Sequence, residues 1–279
     1  MHRPRSHLYR CHINYILAHL RQRVTYGLKQ RPTGGIKTMM QQTATLFAIV
    51  LLAGLWGNKP TCAADAYLPE IDPAQFSSKI DNVYFKMPVG KKMIFEAKSE
   101  DGLERIEVEI INEQRTIMGV ETQVYWDRVW KNGQLREETK DYLAQDKAGN
   151  VWYFGEAVDN FENGKLKDHH GAWLAGTGGA LPGIWMKAAP KIGEEYRQEF
   201  LKGEAEDMGR IVSTGETVTI TAGTFSGCIK TLDWSPLDGE TKEQKTYCPK
   251  AGGLVLEEDL VSGERMELIE IIEAAGHNP

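Results

Sequence analysis

No aspartate or glutamate occurs before Asp65 in this 279-residue sequence, and that absence divides the chain. Nine of the 33 lysines and arginines lie in the acid-free leader, leaving 24 against all 39 acidic residues, a net charge of −15 for the remainder. Such a balance excludes nucleic acid as a partner, because phosphates are held by a basic surface that releases their counterions. Cysteine is scarce as well: only Cys228 and Cys248 follow Cys62. The sequence has no C-x-x-C, H-E-x-x-H or G-x-S-x-G, so dithiol, zinc-peptidase and serine-hydrolase chemistries lack their usual signatures. Beyond the leader no stretch keeps a helical apolar period for a dozen residues, which excludes an α-helical domain.

Within the leader, the stretch from Lys37 to Lys59 is uncharged and residues 44–57 are nearly all apolar. That run has the length of a signal-peptide core and falls short of the ~20 residues of a spanning helix. Small residues at Thr61/Ala63, Cys62/Ala64 and Ala64/Ala66 offer cleavage sites, which put the mature N-terminus between Ala64 and Tyr67. An uncleaved anchor is the alternative, since Gln41 and Gln42 lengthen the uncharged run. Signal peptides are N-terminal, so residues 1–38 are read as a basic extension from a mis-assigned start, with Met39 or Met40 as the true one. This gives a signal at 39–64, a short helix and linker at 65–82, and one β domain at 83–279. The expected location is periplasmic or extracellular, with membrane contact only through an uncleaved signal.

Asp72-Pro73 reads as an N-cap followed by proline at the first helical position, predicting one short helix to about Ile80. Thereafter the period is that of strands. Arg105-Ile106-Glu107-Val108-Glu109-Ile110 alternates strictly, and so do residues 216–221. Further runs rich in aromatic and β-branched residues lie at 92–98, 122–130, 135–143, 151–154, 195–201, 225–234, 242–248, 254–257 and 267–272. Between them stand Asp101-Gly102, Asn132-Gly133, Asn163-Gly164 and Asp238-Gly239, dipeptides that tolerate the positive φ of tight hairpins. The fold class is all-β, an antiparallel meander with one short N-terminal helix. Similar spacings of Gly90 to Gly119 and Gly193 to Gly223 suggest pseudo-repeats at about 88–156 and 190–258, two halves forming a curved sheet, sandwich or open barrel.

The stretches Asn150-Val151-Trp152-Tyr153-Phe154-Gly155-Glu156, Lys202-Gly203-Glu204-Ala205-Glu206-Asp207-Met208 and Ala251-Gly252-Gly253-Leu254-Val255 resemble those of a widespread family of exported bacterial proteins. The likeness runs from Val83 to Ile272 and implies a domain boundary but no mechanism. More remotely, the pattern resembles the lipoprotein-carrier type of fold, in which a curved sheet wraps an apolar cavity. That likeness is architectural and carries over no residues.

Cys228 and Cys248 each lie ten residues from Asp238, so a hairpin centred there sets them opposite one another, close enough for a disulfide in an oxidising compartment. Trp173 and Trp185 flank the glycine-rich loop 176–183, a segment expected to be too flexible for a packed centre, and are the candidate lining of an apolar pocket. Glu204, Glu206 and Asp207, with His170, are the candidate ligands for a divalent cation, although no loop has EF-hand spacing. The leading expectation is a non-enzymatic ligand-binding or carrier domain for an apolar small molecule or lipid, without a cofactor. Its rivals are a cation-dependent enzyme or metal-binding protein acting on cell-envelope material, and a structural envelope protein.

Overall fold

The structure is a computed structural model and describes residues 67–239 and 242–274. Residues 1–66, on which the expected basic extension and signal fall, lie outside the described residues. Asp72 does cap a helix, its carboxylate accepting the Ala74 N–H at 3.1 Å, but the helix is a single 3-10 turn, Pro73–Gln75. It ends before Ile80 because the next two residues are claimed by the sheet. Phe76 and Ser77 pair with Asp146 and Gln145, and the Phe76 ring packs edge-on against Trp152 and Phe154.

Eighteen strands account for most of the described chain: β1 (Phe76–Ser77), β2 (Asp81–Asn82), β3 (Phe85–Lys86), β4 (Lys92–Ser99), β5 (Gly102–Ile117), β6 (Val120–Lys131), β7 (Gln134–Asp146), β8 (Val151–Glu162), β9 (Lys165–Asp168), β10 (Trp173–Leu174), β11 (Leu181–Met186), β12 (Glu195–Arg197), β13 (Glu199–Phe200), β14 (Met208–Ile220), β15 (Gly223–Trp234), β16 (Lys242–Cys248), β17 (Gly253–Asp259) and β18 (Arg265–Ile272). All but β2 and β3 belong to one antiparallel sheet, with the order β12-β14-β15-β16-β17-β18-β4-β5-β6-β7-β8-β11-β13 along its main path.

That order nearly closes a barrel. Its two ends, β12 and β13, are consecutive pieces of one segment, in which Glu195, Tyr196 and Arg197 pair with β14 while Glu199 and Phe200 pair with β11. Between them Gln198 donates its backbone N–H to the Asp207 carbonyl and its side-chain amide to Asp233. The closing segment presses so tightly on β11 that a Cβ at Gly183 would stand 2.3 Å from the Gln198 carbonyl carbon. Only glycine fits there.

The two halves share a local device. Gly90 donates to the Ile110 carbonyl while Ile110 donates back to Lys91, and Gly193 and Ile211 with Glu194 repeat both bonds. Both glycines have positive φ, 92° and 86°. Two of the four expected turns behave as their chemistry dictates, Asn132-Gly133 and Asn163-Gly164 each holding two consecutive positive φ values, while at Asp101-Gly102 only the glycine does and at Asp238-Gly239 neither residue does. Met118-Gly119 also holds two between β5 and β6, with an unbranched apolar residue where asparagine is usual.

One end of the barrel, where β5 meets β6, β7 meets β8 and β16 meets β17, is covered by the hairpin β2–β3. It is pinned across the opening by Asn82 donating to the Gly149 and Lys187 carbonyls, by Lys86 donating to Gly252, and by the Gly90–Ile110 bond. Phe85, 3% exposed, plugs the end and meets the rings of Tyr125 and Trp185.

Candidate functional site

Beside this cap lies a groove of about 600 Å³, formed by residues 78–91 on one side and the β16–β17 turn on the other. Ile80, Met87 and Ala251, all buried, give it an apolar floor, and Val89, Pro88 and Pro249 extend that surface to the rim. Four lysines also line it, Lys79, Lys86, Lys91 and Lys250, against two carboxylates, Asp81 and Glu273. Lys91 is the unusual member, because its side chain is buried. Its ammonium donates to the carbonyls of Ala251 at 2.6 Å and Gly252 at 3.0 Å. Burial pulls its pKa down to about 8; Glu273 opposes the shift and neighbouring Lys86 reinforces it.

The far half of the barrel has the opposite character. Asp233 of β15, Glu243 and Lys245 of β16, and Glu257 of β17 sit side by side in register, Thr231 facing Lys245 and Lys245 facing Glu257. All four charged residues are buried. The Lys245 ammonium lies 3.4 Å from Asp233, 3.8 Å from Glu243 and 3.9 Å from Glu257, while Lys131 lies 3.7 Å from Glu104. Neither carboxylate oxygen of Glu104, Glu243 or Glu257 has a hydrogen-bond partner at ordinary distance among the described residues.

Eleven carboxylates and three lysines are buried in the described chain, too few cations for every acid to ionise cheaply. Burial accordingly pushes Glu104 up to about 7 against the pull of Lys131, and Glu257 up to about 8 against that of Lys245. Glu243 is raised well above its ordinary value by burial and then by Glu257. Burial also works against the charge of Lys245, but Asp233, Glu257 and Glu243 outweigh it and hold that ammonium protonated. The belt is a place where protons are retained at neutral pH.

The residues singled out from sequence fall elsewhere. Trp173 is buried edge-on against Tyr153, and Trp185 packs against Phe85, Tyr125 and the same Tyr153. Both belong to the aromatic packing beneath the cap, and neither lines the groove. Of the glycine-rich stretch between them, residues 176–179 form an exposed turn, whereas Ala180 is buried and Leu181–Met186 is strand, because β11 must lie between β8 and the closing segment.

Glu204 is exposed, Glu206 accepts the Gly203 N–H and lies 3.8 Å from Arg197, and Asp207 is buried within electrostatic reach of Glu243. His170 stands on an exposed loop, its carbonyl accepting from Asn160. Among the described residues no group of three or more histidines, cysteines or carboxylates is placed to hold a metal ion. The cysteine reading was direct: Cys228 and Cys248 form a disulfide, with Cα atoms 4.2 Å apart. It joins β15 to β16 immediately before the turn that supplies one wall of the groove. Sequence reasoning missed the groove, though Lys91 beside Gly90 in front of a strand was a visible signal.

No protein-family model matches the chain, and no curated protein matches it. Among solved structures it is similar to the crystal structure of a "putative lipoprotein" from Parabacteroides distasonis, at 15% identity over 68% of this chain and 98% of that one, with a TM-score of 0.38. A likeness of that size carries no functional argument.

Proposed function

We propose that the protein is a non-enzymatic ligand-binding or carrier domain that takes an apolar or lipid-like small molecule in the groove beside its cap. The observation that carries this reading is the combination of volume and surface: about 600 Å³, open to solvent, floored by Ile80, Met87 and Ala251. That volume is typical of pockets that bury one small ligand, and apolar lining with a few polar groups is their usual composition. A buried disulfide supports a working place outside the reducing cytoplasm.

The test is binding of N-phenyl-1-naphthylamine, an uncharged probe that fluoresces in apolar surroundings. Saturable enhancement is expected, and it should vanish in Val89→Glu, which puts a charge on an already exposed part of the wall. No enhancement, or enhancement indifferent to that substitution, would overturn the assignment.

A further inference from the structure

We propose that the groove selects an amphiphile whose head is anionic, a carboxylate or phosphate on one hydrocarbon chain. Lys86, Lys91 and Lys250 surround the head, and Ile80, Met87 and Val89 receive the chain. The proposal rests on the ligand-binding reading above and adds the chemical class of the ligand.

Three observations carry it. First, the groove carries a surplus of positive groups: four ammonium groups line it against two carboxylates, in a protein whose non-leader part is strongly acidic. Asp81 is already occupied, 3.7 Å from Lys79 and accepting from the Gln145 amide at 2.9 Å. Among the described residues neither Lys86, Lys91 nor Lys250 forms an ion pair, and Lys250 only faces the Phe225 ring, 5.5 Å from its centre.

Second, Lys91 is held in place. Two of its three ammonium protons go to the Ala251 and Gly252 carbonyls, which leaves one donor for the groove it lines. Carbonyl dipoles orient the charge without neutralising it. Third, Lys86 acts on Lys91 as a like charge, with Glu273 the one carboxylate that acts on it in the opposite sense. Cations lining one apolar groove are relieved by an anion, and only an anion with an apolar body would also cover the floor.

The experiment measures displacement of the bound neutral probe by four twelve-carbon chains: dodecanoate, dodecyl phosphate, dodecanol and dodecyltrimethylammonium. The two anions should compete about tenfold more tightly than the alcohol, the size of one charge-assisted hydrogen bond, and the cation should be weakest. Lys86→Gln/Lys250→Gln should shrink the preference of the anions over dodecanol, read as the ratio of their competition constants, and leave the remainder to Lys91.

A pH profile separates specific pairing from general attraction. As pH rises above about 8, Lys91 loses its proton, so dodecanoate should weaken while dodecanol stays level. The other charged groups around it are Lys86, Lys79, Lys250, Asp81 and Glu273. Dodecanoate and dodecyl phosphate report the two head chemistries separately, and preference for either supports the proposal. If the probe binds but the alcohol or the cation competes as well as the anions, the head assignment is wrong while the carrier reading stands. If the probe does not bind at all, the carrier reading itself has failed.

Discussion

The two ends of this barrel are made of the same strands yet solve burial in opposite ways. Strand β5 enters with Glu104 buried in the acidic belt and leaves with Ile106, Val108 and Ile110 buried towards the cap, and β6 runs the other way from Tyr125 through Asp127 to Lys131. At the capped end, apolar side chains are shielded and the surplus charge is cationic, at the wall of an open groove. At the far end, carboxylates are shut away with Lys131 and Lys245 as their buried cations. The comparison teaches that the groove's charge is available to a ligand, whereas the belt's charge is committed to the fold.

The hardest blow to that contrast should fall on the belt. Lys245→Ala strips buried Asp233 of its nearest cation, and breaking a buried ion pair from one side costs about 3–5 kcal/mol. Lys86→Gln in the groove should cost under about 0.5 kcal/mol, as an exposed surface change does. Equal losses in denaturant titrations would erase the distinction between the two ends.

Next in size is the disulfide. Replacing Cys228 and Cys248 by alanine reopens a loop of sequence separation 20 and should cost about 3 kcal/mol. Because the bond abuts the groove wall, probe affinity should fall as well, an effect no belt substitution should share. Thiol titration of the unfolded, unreduced protein should find neither of these cysteines free.

The belt also fixes a pH dependence. Burial raises Glu257 to about 8 and Glu104 to about 7, so the folded chain holds protons that the unfolded chain releases near pH 4.5. Their contribution is complete below that value and is lost as pH rises through about 7 to 8. The melting temperature should therefore decline by several degrees between pH 5 and 8, a range in which ordinary surface carboxylates change little. A chelator should leave the profile untouched; if it lowers the melting temperature, a cation and not protons neutralises the belt.

The smallest effect belongs to neither end's charge. Met118 holds a φ of 50° in the β5–β6 turn, a conformation that asparagine adopts at less cost. Met118→Asn should raise stability by roughly 0.5–1 kcal/mol and leave both probe binding and the pH profile unchanged.

Much of the fold was legible because strands and turns announce themselves locally. The alternation at 105–110, the Asn-Gly dipeptides and the symmetric cysteines about Asp238 are short-range signals, and each has its counterpart in the structure. The interior was not legible for the opposite reason. In Arg105-Ile106-Glu107-Val108 the glutamate does face outward, and the same period sets Glu104 inward with Ile106. What argues against burying Glu104, Glu243 and Glu257 is their charge, and the cations Lys131 and Lys245 beside them stand on other strands or other positions that no local pattern reveals. The helix expected to reach Ile80 was cut short by pairing of Phe76–Ser77 with β7. Trp173 and Trp185 became packing because Tyr153 stands between them, a neighbour that no local pattern reveals.

The pairing of β18 with β4 sets Ile272 opposite Lys92, so the ring is locked by nearly the last described strand meeting the first long one. Contacts so distant along the chain make folding slow, since the closing search comes after most of the conformational freedom has been spent. Until β18 pairs, β4 and β17 both present unpaired backbone, the edges on which chains aggregate. Completion of the sheet therefore waits on β18, eight residues that pair with β17 on one side and β4 on the other.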